Sequence, residues 1–130
     1  MIVLDASALL EVLLHTPLGP AIEVRLFATR QSLHSPHLLD VEIAQVIRRF
    51  AMAREIGAER AQAALDDFMD FPIRRHPHGF LLPRVWALRN NFTAYDAVYV
   101  ALAEVLDATL LTHDRGLAAA AHEHVSVELM

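Results

Sequence analysis

The 130-residue sequence predicts an α/β layered fold built on a mainly parallel sheet, and two observations carry that prediction. The short aliphatic runs MIVLD and ATLLT are continuous rather than alternating, which suits strands buried on both faces of a parallel sheet. Between such runs lie longer stretches of helical periodicity, so that strands and helices alternate along the chain.

The elements follow in order. MIVLD is the first strand, and Ser7 is placed to cap a helix over ALLEVLL. Pro17, Gly19 and Pro20 punctuate before a second helix, AIEVRLFATR. A short strand is expected near Ser32 to Ser35. Ser35 followed by Pro36 then reads as an N-cap with proline at the first helical position, opening a long helix from about 36 to 55 that Gly57 breaks. ERAQAALDDFMDF is a further helix, FPIRRH a strand, and about Gly79 to Arg89 another helix. TAYDAVYVALAE forms a helix reaching about Leu106, with Thr93 as N-cap and Asp96 completing a capping pattern. ATLLT is the next buried strand, HDRGLAAAA turns into a short helix, and the alternating HVSVEL is an edge strand. With no repeat, low-complexity tract or linker, one domain over residues 1–130 is expected.

Composition narrows the class. There is no cysteine, which excludes disulfides and thiolate metal sites. The first residues lack a basic region and carry an acid at position 5, and no apolar run nears the ~18 residues of a membrane span. A soluble cytoplasmic protein without membrane association is expected. The hydrophobic fraction of 55% and the mean hydropathy of +0.32 are high for a small soluble monomer, so some apolar surface is expected to face a subunit or partner. The net charge is −5 and every basic residue is Arg, which argues against a purely electrostatic nucleic-acid binder unless cations offset clustered acids.

In open parallel sheets, ligands bind beyond the carboxyl ends of the strands. Asp5 ends the first strand, Asp114 follows ATLLT by one residue, and Asp96 lies in the first turn of the helix that feeds ATLLT. On the long helix, Leu39, Ile43, Val46 and Phe50 cluster as a core face at about 100° per residue. Glu42 borders that face, whereas Asp40 points towards solvent. Asp5, Glu42, Asp96 and Asp114 thus form a four-carboxylate constellation. Like charges repel in a pocket, and hard divalent cations such as Mg²⁺ or Mn²⁺ relieve the repulsion. Taken singly, each acid is more often a helix cap, a turn residue or a solvated side chain than a ligand.

The segments MIVLDASALLEVL, P-x5-E around Glu42 with IRR after it, TAYDAVYVALAE and LLTHDRGL run in one order across nearly the whole chain. In that set the sequence resembles PIN-domain proteins, specifically the VapC-type toxin ribonucleases of bacterial toxin–antitoxin pairs. The resemblance implies a three-layer α/β/α sandwich and a metal-dependent endoribonuclease. By match to the motifs, Asp5, Glu42, Asp96 and Asp114 are the acidic set that binds one or two Mg²⁺ or Mn²⁺ ions, with Ser7 and Thr112 as supporting polar positions. It implies in-line hydrolysis of RNA by a metal-activated water, leaving 5′-phosphate and 3′-hydroxyl ends. It also implies a homodimer blocked by a cognate antitoxin, with operator DNA contacted through the antitoxin. HDRGL carries no second acid near Asp114, a departure that bears on a second metal position.

Arg48, Arg49, Arg74, Arg75, Arg84 and Arg89 are phosphate-contact candidates. The pairs His76/His78 and His122/His124 lack a third ligand at zinc spacing, and His113 reads as a bystander beside the rim. Tyr99 reads as packing, whereas Tyr95 can face either way. Two other classes compete: a receiver-like signalling domain, which lacks the Lys it needs, and a non-catalytic interaction module whose acids are caps.

Overall fold

The computed structural model describes residues 1–130. Five strands, β1 (Ile2–Leu4), β2 (Leu33–Pro36), β3 (Ile73–His76), β4 (Thr109–Thr112) and β5 (Val127–Leu129), form one sheet in the order β3-β2-β1-β4-β5. All neighbouring pairs are parallel. The helices are α1 (Ala6–Leu13), α2 (Gly19–Phe27), α3 (Leu38–Met52), α4 (Ala58–Asp70), α5 (Leu82–Ala87), α6 (Ala94–Leu106) and α7 (Arg115–Ala121).

The expected three-layer α/β/α sandwich is present, because the continuous strands send alternate side chains to two cores. Ile2, Leu4, Leu33, Ile73 and Leu111 join α1 to α4 on one face, while Val3 and Leu110 join α5, α6 and α7 on the other. Residues Ala97 to Ala103 of α6 are all buried, as befits a helix apolar on every side. Gly19 lets α2 approach α1 closely, since a Cβ there would meet the Glu11 carbonyl oxygen at 2.5 Å. No helix is long and apolar enough to cross a membrane.

The chain builds outward from β1 through β2 to β3, then returns to place β4 on the other side of β1. The switch point therefore lies between β1 and β4, where Leu4 is in register with Leu111.

Several local expectations change. Ser7 lies inside α1, and Asp5 is the N-cap, its Oδ1 accepting from the Ala8 amide at 3.2 Å. Ser35 is not a cap either. β2 continues through Pro36, α3 starts at Leu38, and the buried Ser35 hydroxyl donates instead to the Leu4 carbonyl at 2.9 Å. α3 ends at Met52, before Gly57, because Arg54 turns into the left-handed region at φ 58°. The buried stripe of α3 is Leu39, Ile43 and Ile47, rotated from the expected one because α4 packs alongside; Val46 and Phe50 are half-buried. The helix expected from about Gly79 is a 3-10 turn (Gly79–Leu81) running into the short α5.

Candidate active site

The carboxyl ends of β1 and β4 deliver Asp5 and Thr112 to one point. Asp5 is only 5% exposed and Thr112 fully buried. The Thr112 hydroxyl donates to Asp5 Oδ2 at 2.8 Å, and the Ser7 hydroxyl donates to Asp5 Oδ1 at 2.8 Å. Ser7 Oγ also accepts from the His113 amide, which ties α1 to the loop after β4. Asp114 caps α7, its Oδ1 accepting from the Leu117 amide at 3.0 Å, and it is solvent-exposed.

Asp96 is half-buried in the first turn of α6. Only half of the expected reciprocal cap is made: Thr93 Oγ1 accepts from the Asp96 amide at 3.2 Å, while the Asp96 carboxylate accepts no hydrogen bond from the chain. Glu42 is half-buried on α3, and its Oε1 accepts from the Tyr99 hydroxyl at 2.6 Å. Tyr99 is 2% exposed and holds its phenol far above the ordinary range, chiefly through burial and then the Glu42 charge beside it. It was expected to pack, and it does; its hydrogen bond to Glu42 depends on two helices meeting, which no local pattern signals.

Electrostatics link the four acids. Burial pushes the Asp5 carboxyl up to about 6, against the hydrogen bonds from Thr112, Ser7 and the Ala8 amide, and the Asp114 charge raises it further. Burial and then the Asp114 charge raise Asp96. Burial raises Glu42, the Tyr99 hydrogen bond opposes it, and the Asp96 charge adds to the rise. None of the four belongs to an ion pair.

No three acidic or histidine side chains converge closely enough, as they stand, to enclose an ion. The donor chemistry nonetheless fits a hard divalent cation: all four are carboxylates, and each but Asp5 keeps an oxygen without a hydrogen-bond donor on the chain.

The other candidates sort by partner. Arg75 is paired with Asp40 at 2.6 Å, and the Asp40 side chain stays 46% exposed, so Asp40 faces solvent as expected and a cation besides. Arg84 is paired with Glu104, and Arg89 lies over the Trp86 ring, whereas Arg48, Arg49 and Arg74 make no ion pair. The His113 ring turns away to the Met130 carbonyl. His76 shares a 2.8 Å hydrogen bond with His34, away from the acids.

The PIN domain family model matches residues 2–123. The chain is 43% identical to ribonuclease VapC1 of Mycobacterium tuberculosis over 119 residues, covering 91% of this chain and 89% of that protein. It is 37% identical to ribonuclease VapC12 of the same organism over 130 residues, covering 100% and 99%. In structure it is similar to VapBC2 of Rickettsia felis bound to a promoter DNA fragment, with a TM-score of 0.72 at 15% identity over 99% of this chain and 98% of that one.

Proposed function

The chain belongs to the PIN-domain family, among the VapC ribonucleases, and from that premise we propose that residues 1–130 form a single metal-dependent endoribonuclease domain, the toxin of a toxin–antitoxin pair. The observation that carries the reading is the chain of carboxylates beside the β1/β4 switch point, Asp5 to Asp114 to Asp96 to Glu42, each raised by or acting on the next and none in an ion pair. A set of that kind is stabilised by an external cation. The receiver-like and cap-only readings give way to this one on family membership and on the unbonded Asp96 carboxylate.

Asp5, Glu42, Asp96 and Asp114 would hold Mg²⁺ or Mn²⁺, which when bound polarises phosphoryl oxygens and acidifies coordinated water for phosphodiester hydrolysis. The residues prepare for this in different ways. Asp5 is the rigid member, oriented by Ser7, Thr112 and the Ala8 amide. Tyr99 orients Glu42, leaving its second oxygen for the ion. The α6 dipole favours the ionised form of Asp96. Thr112 Oγ1 accepts from the Asp114 amide at 2.9 Å, so one side chain sets the positions of two acids.

The reading extends to RNA as substrate, a cognate antitoxin protein as partner with operator DNA reached through it, a homodimer, and action in the cytoplasm. It is tested by incubating RNA with wild type and Asp5→Asn in Mn²⁺ and mapping the cut ends. Wild type is expected to cut and Asp5→Asn to be inert; equal cleavage by both would sink the assignment.

A further inference from the structure

Beside the carboxylates, between α3 and the start of α6, lies a cavity of about 340 Å³ whose walls include Glu42 itself together with Val41, Gln45, Val46, Arg49 and Tyr95. Tyr95 immediately precedes Asp96, is 63% exposed, and its hydroxyl makes no hydrogen bond within the chain. Val41 is 68% exposed on the facing helix. Arg49 belongs to no ion pair. Burial in either core accounts for none of these groups.

We propose that this cavity is a nucleobase subsite: it takes one unpaired base of the RNA strand next to the phosphodiester held at the carboxylates, with Tyr95 as its stacking platform. The inference rests on the ribonuclease reading and adds the form of the substrate, a single-stranded segment with a splayed base. The chemistry of the walls matches such a ligand. An exposed aromatic ring and an aliphatic floor accept the face of any base. The Gln45 amide offers both a donor and an acceptor for a base edge. Arg49 supplies a free planar cation for a neighbouring phosphate. On a chain of net charge −5, uncharged stacking carries binding that a basic groove carries elsewhere. Glu42 lies in the wall and Tyr95 directly precedes Asp96, so the cavity adjoins two of the carboxylates, and a second copy seated here would close off the groups that the chemistry needs.

The test compares wild type, Tyr95→Phe, Tyr95→Ala and Trp86→Ala in Mn²⁺-supported cleavage of single-stranded RNA, with oligomeric state followed by light scattering. A parallel binding assay uses Asp5→Asn and RNA bearing 2-aminopurine beside the mapped cut. Tyr95→Ala is expected to raise KM about tenfold with kcat little changed, while Tyr95→Phe and Trp86→Ala resemble wild type. The 2-aminopurine fluorescence should be quenched on binding to Asp5→Asn and unquenched with Asp5→Asn/Tyr95→Ala. An unchanged KM in Tyr95→Ala overturns the subsite, and so does an equal loss in Trp86→Ala or a change confined to oligomeric state. Absence of cleavage by wild type overturns the ribonuclease reading and the subsite with it; cleavage by wild type with no effect of Tyr95→Ala overturns the subsite alone.

Discussion

At the carboxyl ends of β1 and β4, Asp5, Asp114, Asp96 and, through Asp96, Glu42 act on one another's charge and belong to no ion pair, whereas the amino ends of β4 and β5 border a cavity of about 660 Å³ where Glu104 is paired. In that cavity Arg84 holds Glu104 through two hydrogen bonds of 2.7 and 2.9 Å, and His124 stands 3.9 Å from the same carboxylate. The consequence is opposite in sign. Arg84 lowers the Glu104 carboxyl, while burial raises Asp5, Asp96 and Glu42. Size and polarity alone would favour the amino-end cavity as a site. The decisive difference is that Glu104, the acid Arg84 holds there, already has its counter-ion, whereas none of the four acids at the carboxyl ends belongs to an ion pair.

The contrast is broken most strongly at Asp96. Its carboxylate contributes no cap, so Asp96→Asn should fold as wild type by circular dichroism and lose at least about a thousandfold in cleavage, the scale of a lost metal ligand. A folded, active Asp96→Asn would return the residue to the class of solvated acids. Next in size is the response to metal. Mn²⁺ at about a hundred times its Kd should stabilise wild type by about 3 kcal/mol in thermal or urea melts, and Asp96→Asn much less.

The third test uses pH in the metal-free protein. Asp5 takes up its proton at about 6 in the folded chain, against an ordinary value of 3.8. The folded state thus binds the extra proton between these values, and stability falls as pH rises through that window. Asp5→Asn removes the dependence and should be the more stable protein above pH 6, by about 3 kcal/mol. A wild type that gains stability from pH 4 to 6 relative to Asp5→Asn would contradict the burial of this charge.

A smaller effect is expected from Tyr99→Phe, which keeps the packing and removes the hydroxyl. Titration should show Mn²⁺ affinity weakened about tenfold. The smallest concerns the opposite end of the sheet. Glu104→Gln should leave cleavage untouched and cost about 0.2–1 kcal/mol at neutral pH, since Arg84 is largely exposed. Because the folded Glu104 carboxyl is depressed, that difference should shrink as pH falls below its ordinary 4.5. Loss of cleavage in Glu104→Gln would erase the distinction between the two ends.

Much of this was legible in one dimension. Continuous aliphatic strands can satisfy burial on both faces only in a parallel sheet covered by helices, so MIVLD and ATLLT alone imply the layered fold. Asp5 and Asp114 follow from their places after strands, and Asp96 from its place in a first turn. The local caps were less legible. Asp5 and Ser7 both suit an N-cap by type, and the choice fell to Asp5 because its side chain reaches the Ala8 amide while Ser7 is needed to reach Thr112 from α1.

What the sequence determined by itself is therefore the alternation of strands and helices, the parallel sheet this implies and the candidacy of the four acids, because periodicity and residue type are properties of neighbours along the chain. Only tertiary structure decided that Tyr99 meets Glu42 across 57 positions, that Thr112 meets Asp5 across 107, and that Arg75 and Arg84 are spent on Asp40 and Glu104 while Arg49 is free. Those facts depend on which helix faces which strand end. Packing of the whole chain sets that arrangement, and no local preference encodes it.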